Sequence, residues 1–278
     1  MTKLPSRIGS ERASSGSNGN VERALEAPHR QPVTARLAAA TSRRADLETL
    51  LAAAPPGASP AKLRQLVVDQ NIAGKGSAIS RQKLWSQLRQ RYVLDHSVPE
   101  GAAFLAGMAA TSSFSDRGLL CLLMMARTDR LFRDITLSAV SPSLARDGVQ
   151  IPSDQVQGQL EGYLQEHGLA WSPDTVEHLR QHLMASLKDF GVLRGSKVKR
   201  TVRPRPSSQV ALFAARLALA EGQSPRRVLD SEWFRLLGLD TDQVVDLLYA
   251  AARDGVLRFR MQAEVVDLQM PEMEGDRG

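Results

Sequence analysis

The chain has 278 residues, enough for two or three small folded units, and its 42% hydrophobic and 24% charged content is that of an ordinary globular protein. Aromatic residues make up only 5%, which weighs against a single-strand binder built on rows of stacking rings. A formal charge of +6 and a pI of about 9.8 fit an anionic partner. Cys121 is the only cysteine, so an intrachain disulfide is excluded and a reducing compartment is expected. The apolar run around it, Gly118–Ala126, is far shorter than the ~20 residues that span a bilayer. The amino end carries no apolar signal region, so the expectation is a cytoplasmic protein without membrane contact.

Residues 1–32 are rich in Ser, Gly, Asn and Arg without apolar period, which predicts a disordered tail. Residues 33–110 read as a helical domain. Ser42 is placed to cap a helix reaching about Ala54 with Leu47, Leu50 and Leu51 on one side, and Pro55-Pro56-Gly57 stops it. Ser59-Pro60 opens a second helix bearing Leu63, Leu66 and Val67. After the loop Asn71–Ser77 comes a third, Ser80–Tyr92, with Leu84, Trp85, Leu88 and Tyr92 in one stripe and Arg81, Lys83, Arg89 and Arg91 largely off it. Between Ser59 and Leu94 stand seven Lys or Arg against Asp69 alone. Three short helices with a basic third resemble a helix-turn-helix.

The next unit, 111–206, begins with Ser115–Ala126, apolar all round and therefore deeply buried. Thr128-Asp129 caps a helix to about Ala139, Ser141–Pro152 reads as a loop or extended crossing, and Ser153 caps a helix to Gly168. From Ser172-Pro173 a helix carries Val176, Leu179, Leu183, Leu187 and Phe190 at steps of three and four. Gly191 closes it, and Val192–Val202 follows as a candidate hairpin. This stretch holds Arg194, Lys197, Lys199, Arg200, Arg203 and Arg205, with no acid between Gly191 and Pro206.

The last unit, 207–270, repeats the pattern. Helices are expected over Val210–Glu221, from Ser224-Pro225 to Leu229, over Glu232–Leu237 and over Val244–Ala252, then strands over Val256–Arg260 and Val265–Gln269. Gly255-Val-Leu-Arg258 echoes Gly191-Val-Leu-Arg194, and both helices start from an Asp-Thr pair, Asp174-Thr175 and Asp240-Thr241. A helix closed by Gly and followed by a hairpin is the carboxyl half of a winged helix. Residues 271–278 read as an acidic tail. The expected fold class is mainly α: a helix-turn-helix-like amino-terminal domain, then winged-helix-type units with short β-hairpins.

Catalytic and metal chemistry find little support. His178 and His182 have a zinc-compatible spacing, but both are expected to face solvent and no third ligand is evident. Ala73-Gly74-Lys75-Gly76-Ser77 has Lys-Gly-Ser where a phosphate loop needs Gly-Lys-Ser. No Gly-x-Ser-x-Gly elbow occurs, and Cys121 lies in too apolar a run for an activated thiol. The expectation is no enzyme, no metal and no cofactor.

In its order of segments the chain resembles a BrxA-type protein of the BREX phage-defence systems. The words that carry this are Val67-Val-Asp-Gln-Asn-Ile72, the Arg-rich helix 80–92, Thr128-Asp-Arg-Leu-Phe-Arg133, Ser231-Glu-Trp-Phe-Arg-Leu-Leu-Gly-Leu-Asp240, Gly255-Val-Leu-Arg-Phe-Arg260 and Val265-Val-Asp-Leu268. The resemblance spans about 42–269. It implies helix-turn-helix and winged-helix character, partial likeness to the antitermination factor NusB, and binding of double-stranded DNA without a strong sequence code. It also implies partners among the other BREX subunits: a methyltransferase, an ATPase and a phosphatase-like component. The candidate nucleic-acid-binding residues are Lys75, Arg81, Gln82, Lys83, Arg89 and Arg91, with Arg194, Lys197, Lys199, Arg200, Arg203 and Arg205 of the hairpin. Arg81 and Gln82 are best placed to reach a groove. A sequence-specific transcriptional regulator and a protein–protein adaptor remain as alternatives, and RNA as an alternative ligand.

Overall fold

The computed structural model describes residues 31–271, so the expected tails lie outside it except at their inner ends. There the tail boundary moves. Gln31 is buried and its Nε2 donates to the Arg127 carbonyl at 2.9 Å.

A 3-10 turn, Ala35–Ala39, leads into α1 (Arg44–Ala53), α2 (Pro60–Val68) and α3 (Ala78–Tyr92). Helix α2 starts where the sequence places it, with the Ser59 hydroxyl accepting from the Lys62 amide and Pro60 at the first position. Helix α3 starts two residues earlier than expected, because Ser77 supplies its cap by accepting from the Ser80 amide. Ser42 stands one residue before the cap position of α1 and still accepts from the first helical amide, that of Arg44, at 3.2 Å. Its hydroxyl donates to Asp189 Oδ2, 2.6 Å away and 147 residues along the chain.

Helices α4 (Pro99–Ala110) and α5 (Phe114–Thr128) come next. Every residue of α5 from Gly118 to Thr128 is buried, as the all-round apolar composition of 118–126 requires, and Arg127 and Thr128 are buried against Glu100 and the Arg91 carbonyl. Helices α3 and α4 pack on it, together with α6 (Arg130–Ala139) and α9 (Ser208–Ala220). It is the central post of the molecule. Cys121 sits inside it, and burial pushes the thiol up to about 12, which leaves no thiolate for chemistry.

After α6 the segment expected to be a loop or crossing contributes a short strand, β1 (Gln150–Ile151). Then come α7 (Ser153–Glu166), α8 (Pro173–Asp189), β2 (Leu193–Arg194) and β3 (Lys199–Thr201). The three strands form an antiparallel sheet in the order β1-β3-β2. The carboxyl-terminal segment runs α9, α10 (Pro225–Val228), α11 (Glu232–Arg235), α12 (Thr241–Arg253), then the antiparallel pair β4 (Arg258–Gln262) and β5 (Val265–Gln269). The chain is thus mainly helical with short antiparallel hairpins. Buried apolar residues from Leu37 to Leu268 join in one cluster, so the three expected units share a core.

The two helix-to-hairpin corners match closely. Gly191 and Gly255 are both left-handed, at φ +83° and +74°. In each, the Gly amide and the Val amide after it turn back onto the helix: Gly191 to Lys188 and Val192 to Leu187, Gly255 to Ala252 and Val256 to Ala251. The Asp-Thr echo does not hold in space. Asp240 is itself the cap of α12, in a reciprocal pair with Gln243, whereas Ser172 caps α8 and Asp174-Thr175 lie in its first turn.

One buried cation ties these parts together. The Arg44 guanidinium donates to the carbonyls of Asp189 and Phe114, pairs with Glu48 at 2.9 Å and stacks 3.8 Å from the Phe114 ring. Gly118 makes room for it. A Cβ there would run into the Phe190 carbonyl oxygen and lie 2.5 Å from Arg44 Nη1. At Gly158, exposed in α7, an added Cβ would meet nothing within 4 Å. Gly118→Ala is expected to lower stability by about 2 kcal/mol or more through overpacking. Gly158→Ala should raise it by about 0.5–1 kcal/mol through helix propensity. Urea-unfolding midpoints of the two variants check both signs.

Candidate nucleic-acid interface

The basic hairpin is built around a turn that only glycine satisfies. Gly195 has φ +99°, and a Cβ on it would collide with the Val198 carbonyl oxygen. The register sets Leu193 against Thr201, both buried on the inner face, and Arg194 against Arg200 on the outer one. Gln150 of β1 stands opposite Arg200 from the other side, so the exposed outer row reads Gln150, Arg200, Arg194. Like charges directly opposite on a sheet are destabilising. Among the described residues none of Arg194, Lys197, Lys199, Arg200, Arg203 and Arg205 has an ion-pair partner to offset this.

The row is held firmly from behind. The buried Thr201 hydroxyl donates to the Arg146 carbonyl at 2.6 Å and accepts from the Val149 amide at 3.0 Å. Arg200 Nη1 donates to the Gly148 carbonyl at 3.0 Å, and Asp147 accepts from the Arg203 amide at 2.8 Å. Lys199 behaves differently from the others. Its ammonium turns back to donate to the carbonyls of Gly195 and Ser196, both at 2.8 Å. Partial desolvation, with Lys188 nearby, holds its pKa below the usual lysine range. It shapes the turn; Arg194, Lys197, Arg200, Arg203 and Arg205 are the exposed cations. Arg203 and Arg205 then border a groove of about 380 Å³ against Gln243, Asp246 and Leu247 of α12.

The helical candidates divide. Gln82 and Lys83 are exposed on the first turns of α3, beside the half-buried Arg81 and next to Ile79, which is 79% exposed. Arg89 is half-buried. Lys75 is already matched: its ammonium lies 2.8 Å from Asp46, and Asn71 bonds its backbone on both sides. Arg91 is a correction. It is 6% exposed and donates to the Ala40 carbonyl at 2.9 Å, with burial lowering its pKa against the nearby Tyr92 and Asp129. Residues leading into α1 cover the side of α3 that the stripe left polar, so Arg91 is a structural cation.

Helix α8 is also covered. The 3-10 turn Ala35–Ala39 packs on it, and His182 lies half-buried with its Nδ1 2.8 Å from the Leu37 carbonyl, not facing solvent as expected. Near its start Glu177 pairs with Arg180. Sequence reasoning missed β1, and with it Gln150 and the lock on Thr201; Val149 and Ile151 flanking Gln150 are too short an alternation to signal a strand.

These features define a mainly helical protein that presents a preformed cationic hairpin, and among the described residues no helix is long and apolar enough to cross a membrane. The BrxA family model matches residues 34–216, from the 3-10 turn through most of α9, and the chain belongs to that family, a component of BREX phage defence. A search of curated proteins gives no match.

The division between structural and surface arginines has a direct check. Arg91→Ala strands the Ala40 carbonyl and is expected to cost about 2–3 kcal/mol of stability. Arg200→Ala should change it by less than about 0.5 kcal/mol, as removal of an exposed charge from a like-charged pair. Chemical denaturation of both proteins measures the difference.

Proposed function

We propose that this protein is a non-enzymatic DNA-binding component of BREX defence that holds duplex DNA by its phosphates with little sequence preference. Its partners are then double-stranded DNA and other subunits of that system. The observation that carries the reading is the outer row of the sheet, where Arg194 faces Arg200 without an acidic partner among the described residues. A row so arranged gains stability when a phosphate strand lies along it and releases counterions.

The order α6-β1-α7-α8-β2-β3, with β3 central in the sheet, supports a winged-helix reading in which the hairpin is the wing. In such domains the third helix usually enters the major groove. Here that helix is α8, whose start bears the Glu177–Arg180 pair and whose flank is covered by the 3-10 turn. The wing is therefore the better DNA-facing element, which favours backbone contact over base reading. Arg81, Gln82 and Lys83 of α3 add a second cationic edge.

The test is an anisotropy titration with a random-sequence duplex between about 50 and 200 mM salt. Affinity should fall steeply with salt. Replacing Arg194 and Arg200 together by Ala should weaken binding to all sequences alike and make the log–log slope shallower by about 1.8, two contacts at ~0.9 each. Binding that is indifferent to salt, or lost for one sequence only, would contradict phosphate docking.

A further inference from the structure

The repeated corner has a second exposed arginine at the matching place. Three residues beyond Gly191 stands Arg194, and three beyond Gly255 stands Arg258; Leu193 and Leu257 just before them are both buried. On the second hairpin the register sets Arg258 opposite Gln269 and Arg260 opposite Asp267, so these four side chains share the outward face. They border a groove of about 520 Å³ that reaches Ala252 at the end of α12. Among the described residues neither the Arg258 nor the Arg260 side chain has a hydrogen-bond or ion-pair partner. Asp267 is engaged instead by Gln269, whose Nε2 lies 3.2 Å from its Oδ1.

From sequence, this hairpin's mixed charges suit a cap on the core. Its geometry separates them. The apolar residues Phe259 and Leu268 face inward, Glu264 at the turn is drawn to Arg226, and two arginines two residues apart are left outward. We infer that the second hairpin is a second phosphate-binding surface, with Arg258 and Arg260 contacting the backbone of duplex DNA and Asp267 moderating the contact. This surface lies beyond the residues matched by the family model. The inference rests on the DNA-binding reading above.

The experiment uses the full chain and a random-sequence duplex, titrated at several salt concentrations. Replacing Arg258 and Arg260 together by Ala should weaken binding about tenfold and make the salt slope shallower by about 1.8. The corresponding Lys pair should restore most of both. Asp267→Asn should tighten binding several-fold, an effect that loss of folding cannot imitate. If the Ala pair binds with unchanged affinity and slope, the second hairpin is not a phosphate surface, while binding by the unaltered protein leaves the first hairpin's role intact. If the unaltered protein binds no duplex at low salt, both readings fall.

Discussion

Arg44 lies at the one point where α1, the start of α5 and the end of α8 meet, and its guanidinium is spent on backbone carbonyls from the last two. Hydrogen bonds from a charged donor are worth about 1.5–3 kcal/mol each. The pairing with Glu48 matters less, because that carboxylate is a quarter exposed and shielded by water. Around this cation Ser42 reaches Asp189, and the buried Tyr92 hydroxyl reaches the Ser42 carbonyl. The end of α8 is thereby fixed to α1, α3 and the central helix at once.

The basic hairpin inherits that fixity from α8. Two residues after Asp189 the chain turns at Gly191, and two residues later the hairpin begins. Thr201 and Gly195 then set the shape of the hairpin from within. In the proposed function, a cationic row held this firmly loses little entropy on meeting a phosphate backbone, which is the advantage of a preorganised site. The same rigidity keeps Arg194 facing Arg200, an arrangement a flexible loop would relax by swinging the charges apart.

Much of this is legible in the sequence, and the exceptions have physical causes. Ser59-Pro60, the α3 stripe, the apolar run 118–126 of α5 and the two Gly corners each depend on neighbours within a few residues, and each stands where periodicity and capping put it. Arg91 departs from its sequence reading because a stripe identifies one packed face and is silent about a second; the segment that covers it lies some fifty residues away. His182 departs for the same reason. Ser42 bonds the first amide of α1, as its residue type suggests, and its hydroxyl is also held by Asp189, a partner no local pattern encodes. The paired Asp-Thr words are similar letters in different cap positions. Of the interface, the hairpin cations are legible as charge; that Lys199 shapes the turn while Arg194 and Arg200 share the outer row requires the register.

Duplex DNA docks on the first wing, in the function proposed for this chain, while the α8 corner behind it stays as it is. Amide hydrogen exchange of the full chain, compared with and without a saturating random-sequence duplex, reads this directly. Slower exchange over residues 193–202, with the end of α8 already protected in the free protein, is the expected result. Saturation with DNA that leaves exchange over 193–202 unchanged would contradict it.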